Sequence, residues 1–248
     1  MLLHTRRVLI LFIALTLACY TQAADKSPWS WGVAVVGSED VYRDFESRVI
    51  PVPLVIYRGD WLNLYGPYAT YDVYRPGNLT ASLILSPVFA GYRESDSLIF
   101  EGMDDRGYSM AGGVGLAYRP GRWHLSVNAI HDILNVYSGY EAAARVSYVI
   151  PLGSVFVEPG IGAEYQSTDY VDYYYGVTDD EARPWRPEYT PSGTINPEVS
   201  LAFFTRSLAG GMTRLQLTHT TYGDEISDSP LTDAEQSFGI NLSFGRMF

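Results

Sequence analysis

Along much of the chain, apolar and polar side chains alternate one by one. In 122–130, Trp123, Leu125, Val127 and Ala129 share one phase and His124, Ser126 and Asn128 the other. In 154–166, Val155, Val157, Ile161 and Ala163 oppose Glu158, Gly160, Glu164 and Gln166. The last stretch, QSFGINLSFGRMF, sets Phe238, Ile240, Leu242 and Phe244 against Ser237, Gly239, Asn241, Ser243 and Gly245. A period of two puts each set on its own face of a β-strand. Alternating or continuously apolar segments recur at 29–36, 49–57, 61–71, 79–85, 87–93, 109–118, 122–130, 140–150, 154–166, 197–206, 211–220 and 236–248. They predict about twelve strands, within a range of about 10 to 14.

The connections alternate in length. Short turns at 58–60, 119–121, 151–153 and 207–210 are interleaved with longer polar loops at 37–48, 93–107, 131–139, 167–196 and 222–236. An outer-membrane barrel has short periplasmic turns and long outer loops, which places both termini in the periplasm. Aromatic rings collect toward the strand ends: Trp29, Trp31, Tyr57, Trp61, Tyr118, Trp123 and Tyr148 on the turn side, and Tyr68, Tyr71, Tyr92, Tyr108, Tyr140 and Tyr165 on the loop side. Two such belts suit the two interfaces of a bilayer. The expected fold is all-β, a transmembrane antiparallel up-and-down β-barrel over 24–248.

The amino terminus gives the compartment. Arg6 and Arg7 precede an apolar run from Val8 to Ala18, too short to span as a helix, and small residues follow at Thr21 and Ala23. Residues 1–23 are predicted to be a secretory signal peptide. Cys19 leaves with it, so the mature chain forms no disulfide and no thiolate metal site. The formal charge of −11 becomes −13 when Arg6 and Arg7 go, since no acid lies in the segment removed. That sign argues against nucleic acid as a partner. The expected location is the cell outer membrane, with lipid and lipopolysaccharide around the wall.

Candidate chemistry is thin. Hydrolytic sites on a barrel need a histidine near a serine or an acid. The mature chain has His124, facing the lumen, His131 beside Asp132 in a loop, and His219 facing outward, with no two placed to act together. Asp169, Asp172, Asp179, Asp180 and Glu181 match no calcium-loop spacing and read as solvated. Gly113 and Gly115 lack the rest of a dinucleotide fingerprint and read as lumen-side room. No enzyme activity, cofactor or metal is expected.

The stretch GSEDVYRDFESRVIPVPLVIYRGDW, with its acidic loop leading into a Pro-x-Pro strand, and the loop YYYGVTDDEARP resemble signatures of the MipA/OmpV family, as do the glycine-rich AGGVGLAYRPGRW and the Phe-terminated last strand. The segment after Glu181, ARPWRPEYTPSGTINPEVSL, departs from that pattern. The resemblance implies an outer-membrane barrel. It also implies a structural scaffold that links murein-remodelling enzymes, a lytic transglycosylase and a penicillin-binding protein, to the outer membrane. The alternative is a small pore for small solutes, although Arg145, Glu158 and Glu164 fall in the lumen phase, where opposed charges would cross-link and close it. Phe248, Phe244, Leu242 and Ile240 are similar to the terminal signal read by the barrel assembly machinery, with Arg246 a departure.

One strand breaks the rules. In VIPVPLVIY, Ile50, Val52, Leu54 and Ile56 are expected to form the lipid face, while Pro51 and Pro53 each lack an N–H. Residues two apart address the same neighbour, so both defects fall on one seam. A bulge, a bound water or a covering side chain is expected there in place of a regular ladder. The seam reads either as a kink that helps a small barrel close or as a lateral docking point for a partner or lipid.

Overall fold

A computed structural model describes residues 27–45, 49–206 and 209–247. The predicted signal peptide, 1–23, and Phe248 lie outside them. The strands are β1 (Trp29–Ser38), β2 (Val49–Arg58), β3 (Leu62–Tyr65), β4 (Tyr68–Tyr74), β5 (Leu79–Val88), β6 (Ser109–Tyr118), β7 (Trp123–Asp132), β8 (Tyr140–Tyr148), β9 (Ile150–Leu152), β10 (Val155–Gln166), β11 (Thr194–Thr205), β12 (Met212–Thr221) and β13 (Gln236–Met247). Apart from β8 and β9, which both pair with β10, each pairs antiparallel with its neighbours in sequence, and β1 pairs with β13 from Ser30↔Met247 to Ser38↔Gly239, which closes the sheet. The three-residue β9 continues the line of β8 against β10, so the wall has twelve staves. Two short helices sit in the long loops, α1 (Thr168–Tyr175) and α2 (Asp224–Ser227).

Side-chain phase follows the alternation. On β7, Trp123, Val127 and Leu125 are exposed on the outer face, while His124 is buried inside. On β13, Phe238, Ile240 and Leu242 face outward. The lumen is polar over most of its circumference, and backbones approach closely there. A Cβ on Gly113 would lie 2.0 Å from the carbonyl oxygen of Ala129 on the next strand, so this position of β6 accepts only glycine without a shift of backbone.

Three expectations are corrected. The segments 79–85 and 87–93 are one strand, β5, whose continuation past Val88 turns into the lumen. The segment 61–71 is not one strand but the start of a hairpin, β3–β4, reversing at Gly66-Pro67. The two errors offset each other in the count. In the belts, Tyr108 and Tyr140 are exposed as expected, but Tyr68 and Tyr92 are buried, the first in the lumen and the second among the outer loops.

The third correction concerns β2. Leu54 and Ile56 are each 3% exposed and pack with Ala34, Val36, Tyr65 and Tyr68 inside the barrel. Pro51, Pro53 and Val55 hold the outer face. An apolar run carries no alternation, so its phase is invisible until the partner strand sets it. Opposite Leu54 is Gly32, and opposite Pro53 is Val33, which is exposed.

Candidate functional site

The hairpin β3–β4 is short, and this lowers the wall. β2 pairs with β3 only from Ile56↔Tyr65 to Arg58↔Asn63, with one further bond from Gly66 N–H to Val55 carbonyl at 3.0 Å. Among the described residues, no strand pairs with 49–54 on the side away from β1. On the far rim, β4 pairs with β5 only as far as Ala69↔Leu85, leaving 86–88 unpaired on that side. The result is a notch in the loop-side half of the wall, floored by Gly66-Pro67.

The prolines belong to this notch. Glu39 N–H donates to Phe238 carbonyl at 3.0 Å, so odd residues of β1 bond β13 and even ones bond β2. Even residues of β2 therefore address β1, and odd residues, including Pro51 and Pro53, address the gap. The same parity applies to β5. Arg119 N–H donates to Asn78 carbonyl at 2.9 Å, so even residues address β6 and Pro87 addresses the gap. Three of the missing donors thus point where no acceptor waits. An unpaired N–H facing lipid costs several kcal/mol, and proline removes it. The ladder does not bulge at the predicted seam; it stops. Behind the notch, Phe89 and Val52 pack on the apolar lumenal cluster.

The outer mouth is filled. Loops 39–45, 89–108, 133–139, 167–193 and 222–235 converge on a core that includes Val41, Tyr92, Phe100, Val171, Tyr174, Ile226 and Leu231. Tyr92 stacks on Phe100 at 3.8 Å between centroids, and Tyr42 stacks on Tyr175 at 5.3 Å. Each such contact contributes about 0.5–1.5 kcal/mol beyond burial. The loop expected to be a solvated surface is largely the underside of this cap: Tyr170, Val171, Tyr174 and Tyr175 of α1 are buried, while Thr178, Asp179, Asp180 and Trp185 stay exposed.

Glu181 is a correction of its own. It is 6% exposed rather than solvated. It accepts two bonds from Arg106 Nη2, at 2.8 and 2.9 Å, with one from Asp104 N–H at 3.1 Å and one from Thr178 N–H at 3.2 Å. Burial pushes its pKa up, but the two amides and Arg106 outweigh this and hold it below the usual carboxylate range. Fully buried Arg186 donates to the carbonyls of Ile99, Glu101 and Glu181. Asp132, read as loop-exposed beside His131, is buried at the end of β7. It accepts from Ser109 Oγ at 2.5 Å and from the amides of Leu134, Tyr137 and Ser138, pinning the loop 133–139.

Inside the barrel, charges cross-link as anticipated, but through partners the sequence reading did not name. Arg145 bonds Glu198 in a bidentate pair, the longer arm 3.2 Å. Glu158 accepts from Arg214 at 3.0 Å and Ser147 at 2.7 Å, and lies 2.9 Å from His124 Nδ1. Glu198 and Arg214 sit in the lumen phase of β11 and β12, so the period of two was the signal that would have found them. Of the expected assembly-signal residues, Ile240 and Leu242 lie on the outer face, Phe244 is half-buried, and Phe248 is outside the described residues.

A closed antiparallel barrel of twelve staves with an apolar outer band and aromatic turn-side ends defines an outer-membrane β-barrel protein. The model of the MltA-interacting protein MipA family matches residues 31–248, and the chain belongs to that family. It is 28% identical over 236 residues to the MltA-interacting protein of Escherichia coli K12, covering 92% of this chain and 94% of that one. It is also 28% identical over 230 residues to the outer membrane protein Omp26La of Vibrio anguillarum, covering 89% and 86%. Against the outer membrane protein OmpV of Vibrio cholerae it is 26% identical over 224 residues, covering 89% and 86%. Among solved structures it resembles the Ralstonia pickettii toluene transporter TbuX at 9% identity and a TM-score of 0.39, covering 91% of this chain and 90% of that one.

Proposed function

We propose that this protein is a structural interaction protein of the outer membrane, one that catalyses no reaction and carries no ion current, and that it ties a murein-remodelling enzyme to the barrel's periplasmic rim. The observation that carries this reading is the packed aromatic core across the outer mouth, backed by the Arg145–Glu198 and Arg214–Glu158 pairs across the lumen. A pore needs a continuous wet path, and these groups stand in it. The name of the Escherichia coli relative, MltA-interacting protein, supports a lytic transglycosylase as the partner.

The face such a partner would meet has a definite charge. Among the described residues of the turn side lie Arg58, Arg75, Arg119, Arg122, Arg206 and Arg246, against Asp60 and the lumen-facing Asp72, although the whole chain is acidic. A basic rim fits an acidic partner surface, and electrostatic complementarity of this kind raises the association rate at low salt. The test is capture of the soluble part of a lytic transglycosylase from the same bacterium by the barrel in nanodiscs. Saturable capture that weakens with salt, and falls at least tenfold when Arg119, Arg122 and Arg206 are replaced by glutamate, supports the reading. Absence of capture by the unmodified barrel overturns it. Capture undiminished by the charge reversals overturns the docking face.

A further inference from the structure

Between the cap and the Arg145–Glu198 pair lies a cavity of about 130 Å³. A smaller one of about 30 Å³, on the turn side of that pair, shares Glu198 and Gln216 with it. A void of the larger size is enough for one aromatic ring, since an apolar cavity of about 150 Å³ takes up benzene. The charged residues lining it are Glu39, Asp40, Glu164 and Glu198, every one an acid.

Glu198 is answered by Arg145. Glu164 feels the same guanidinium only through space, without a direct pair: it is 7% exposed, and its Oε1 has no hydrogen-bond partner. Beside it, Glu141 is 1% exposed, accepts from Tyr137 Oη at 3.2 Å through Oε1, and leaves Oε2 without a partner. Two adjacent buried carboxyls with orphaned oxygens are costly as anions unless a cation or a proton joins them. The remaining lining supplies amides, from Gln166, Asn196 and Asn241, and tyrosine rings, from Tyr42, Tyr170 and Tyr175. Rings present a negative face to a cation. A metal ion fits less well. Among the described residues, no three His, Cys, Asp or Glu side chains are grouped to hold one, and hard cations want six or more oxygens or water.

We propose that this chamber binds a small organic cation, an ammonium group on an aromatic or apolar body, with Glu164 as its anionic anchor. The site is distinct from the periplasmic rim and does not depend on it. The side of the chamber at Ser86–Phe89 is also where the wall is lowest.

The probe is 4-fluorobenzylammonium, titrated against the full barrel in zwitterionic micelles and followed by fluorine NMR, with neutral 4-fluorobenzyl alcohol as the matched control. Saturable one-to-one binding of the ammonium, at least tenfold tighter than the alcohol, is expected. The Glu164→Gln barrel, checked for fold by its heat-dependent gel shift, should bind the ammonium at least tenfold more weakly and the alcohol unchanged. No saturable binding means that the two carboxyls merely share a proton, and it overturns the proposal. Equal affinity for ammonium and alcohol overturns the charge argument on the unmodified barrel alone, whatever the variant does. Undiminished binding by Glu164→Gln overturns the assignment of the anchor.

Discussion

Glu181 shows what single residues do for the cap. It gathers a guanidinium and an amide from the loop 89–108 and a second amide from its own loop, so its removal leaves a buried Arg106 without its hydrogen-bonded carboxylate. Breaking one partner of a buried pair typically costs about 3–5 kcal/mol. Glu181→Ala should therefore open the cap while leaving the wall intact, seen as faster hydrogen exchange at 98–106 with unchanged exchange in β6 to β8. The pH dependence follows from the direction of its shift. A carboxyl held below its unfolded value stabilises the fold above the unfolded pKa, about 4.3, and loses that contribution as pH falls through the folded value. Acidification should loosen 98–106 in the native protein, and Glu181→Gln should flatten that response; an identical pH profile in the variant would contradict the role. This residue was misread from sequence because one acid among several in a Tyr-rich loop carries no mark of the arginine 75 positions away that buries it. Arg145 and Glu158 were legible because strand phase alone puts them in the lumen.

At the scale of the element, β2 is the informative case. Its two prolines mark an edge, and the facing edge of β5 carries a third. Replacing Pro51 and Pro53 with valine supplies two N–H groups that point into the notch with no strand to receive them. The variant should lose several degrees of thermal stability and gain a tendency to pair edge to edge, visible as a dimer on cold gels. A gain in stability would mean that a hidden ladder exists there. The donor deficit was legible from the motif and the parity of antiparallel pairing. The face was not, since Ile50, Val52, Leu54 and Ile56 are as apolar as their lipid-side neighbours, and only pairing with Gly32 and Ala34 decides which set turns inward. The long loop offers a second check. Thr178 to Asp180 are exposed on the outer side of the cap, so an epitope inserted there should be detected on intact cells. Detection only after permeabilisation would invert the topology.

For the molecule as a whole, the barrel class, its closure and its membrane location were readable from a period of two, the alternation of turn and loop lengths, and the turn-side aromatics, while the count of twelve came out through two offsetting misassignments. The cap was not. Polar loop sequences concealed a second hydrophobic core, because Tyr42, Tyr92, Tyr137, Tyr170 and Tyr174 reach it from four loops spread over more than a hundred residues. A closed barrel has no free edge along most of its wall, so the folded protein should migrate differently on gels when boiled, and it should fractionate with the outer membrane. A scaffold of the kind proposed requires a barrel that is shut. Single-channel recording of the purified protein in a planar bilayer tests it most directly. The intact barrel should give no stable conductance steps, whereas a variant lacking Glu198 and Glu158 as charged partners, with 168–186 replaced by a short Gly-Ser linker, should conduct. Discrete, reproducible steps from the unmodified barrel would contradict the sealed mouth and make the protein a pore.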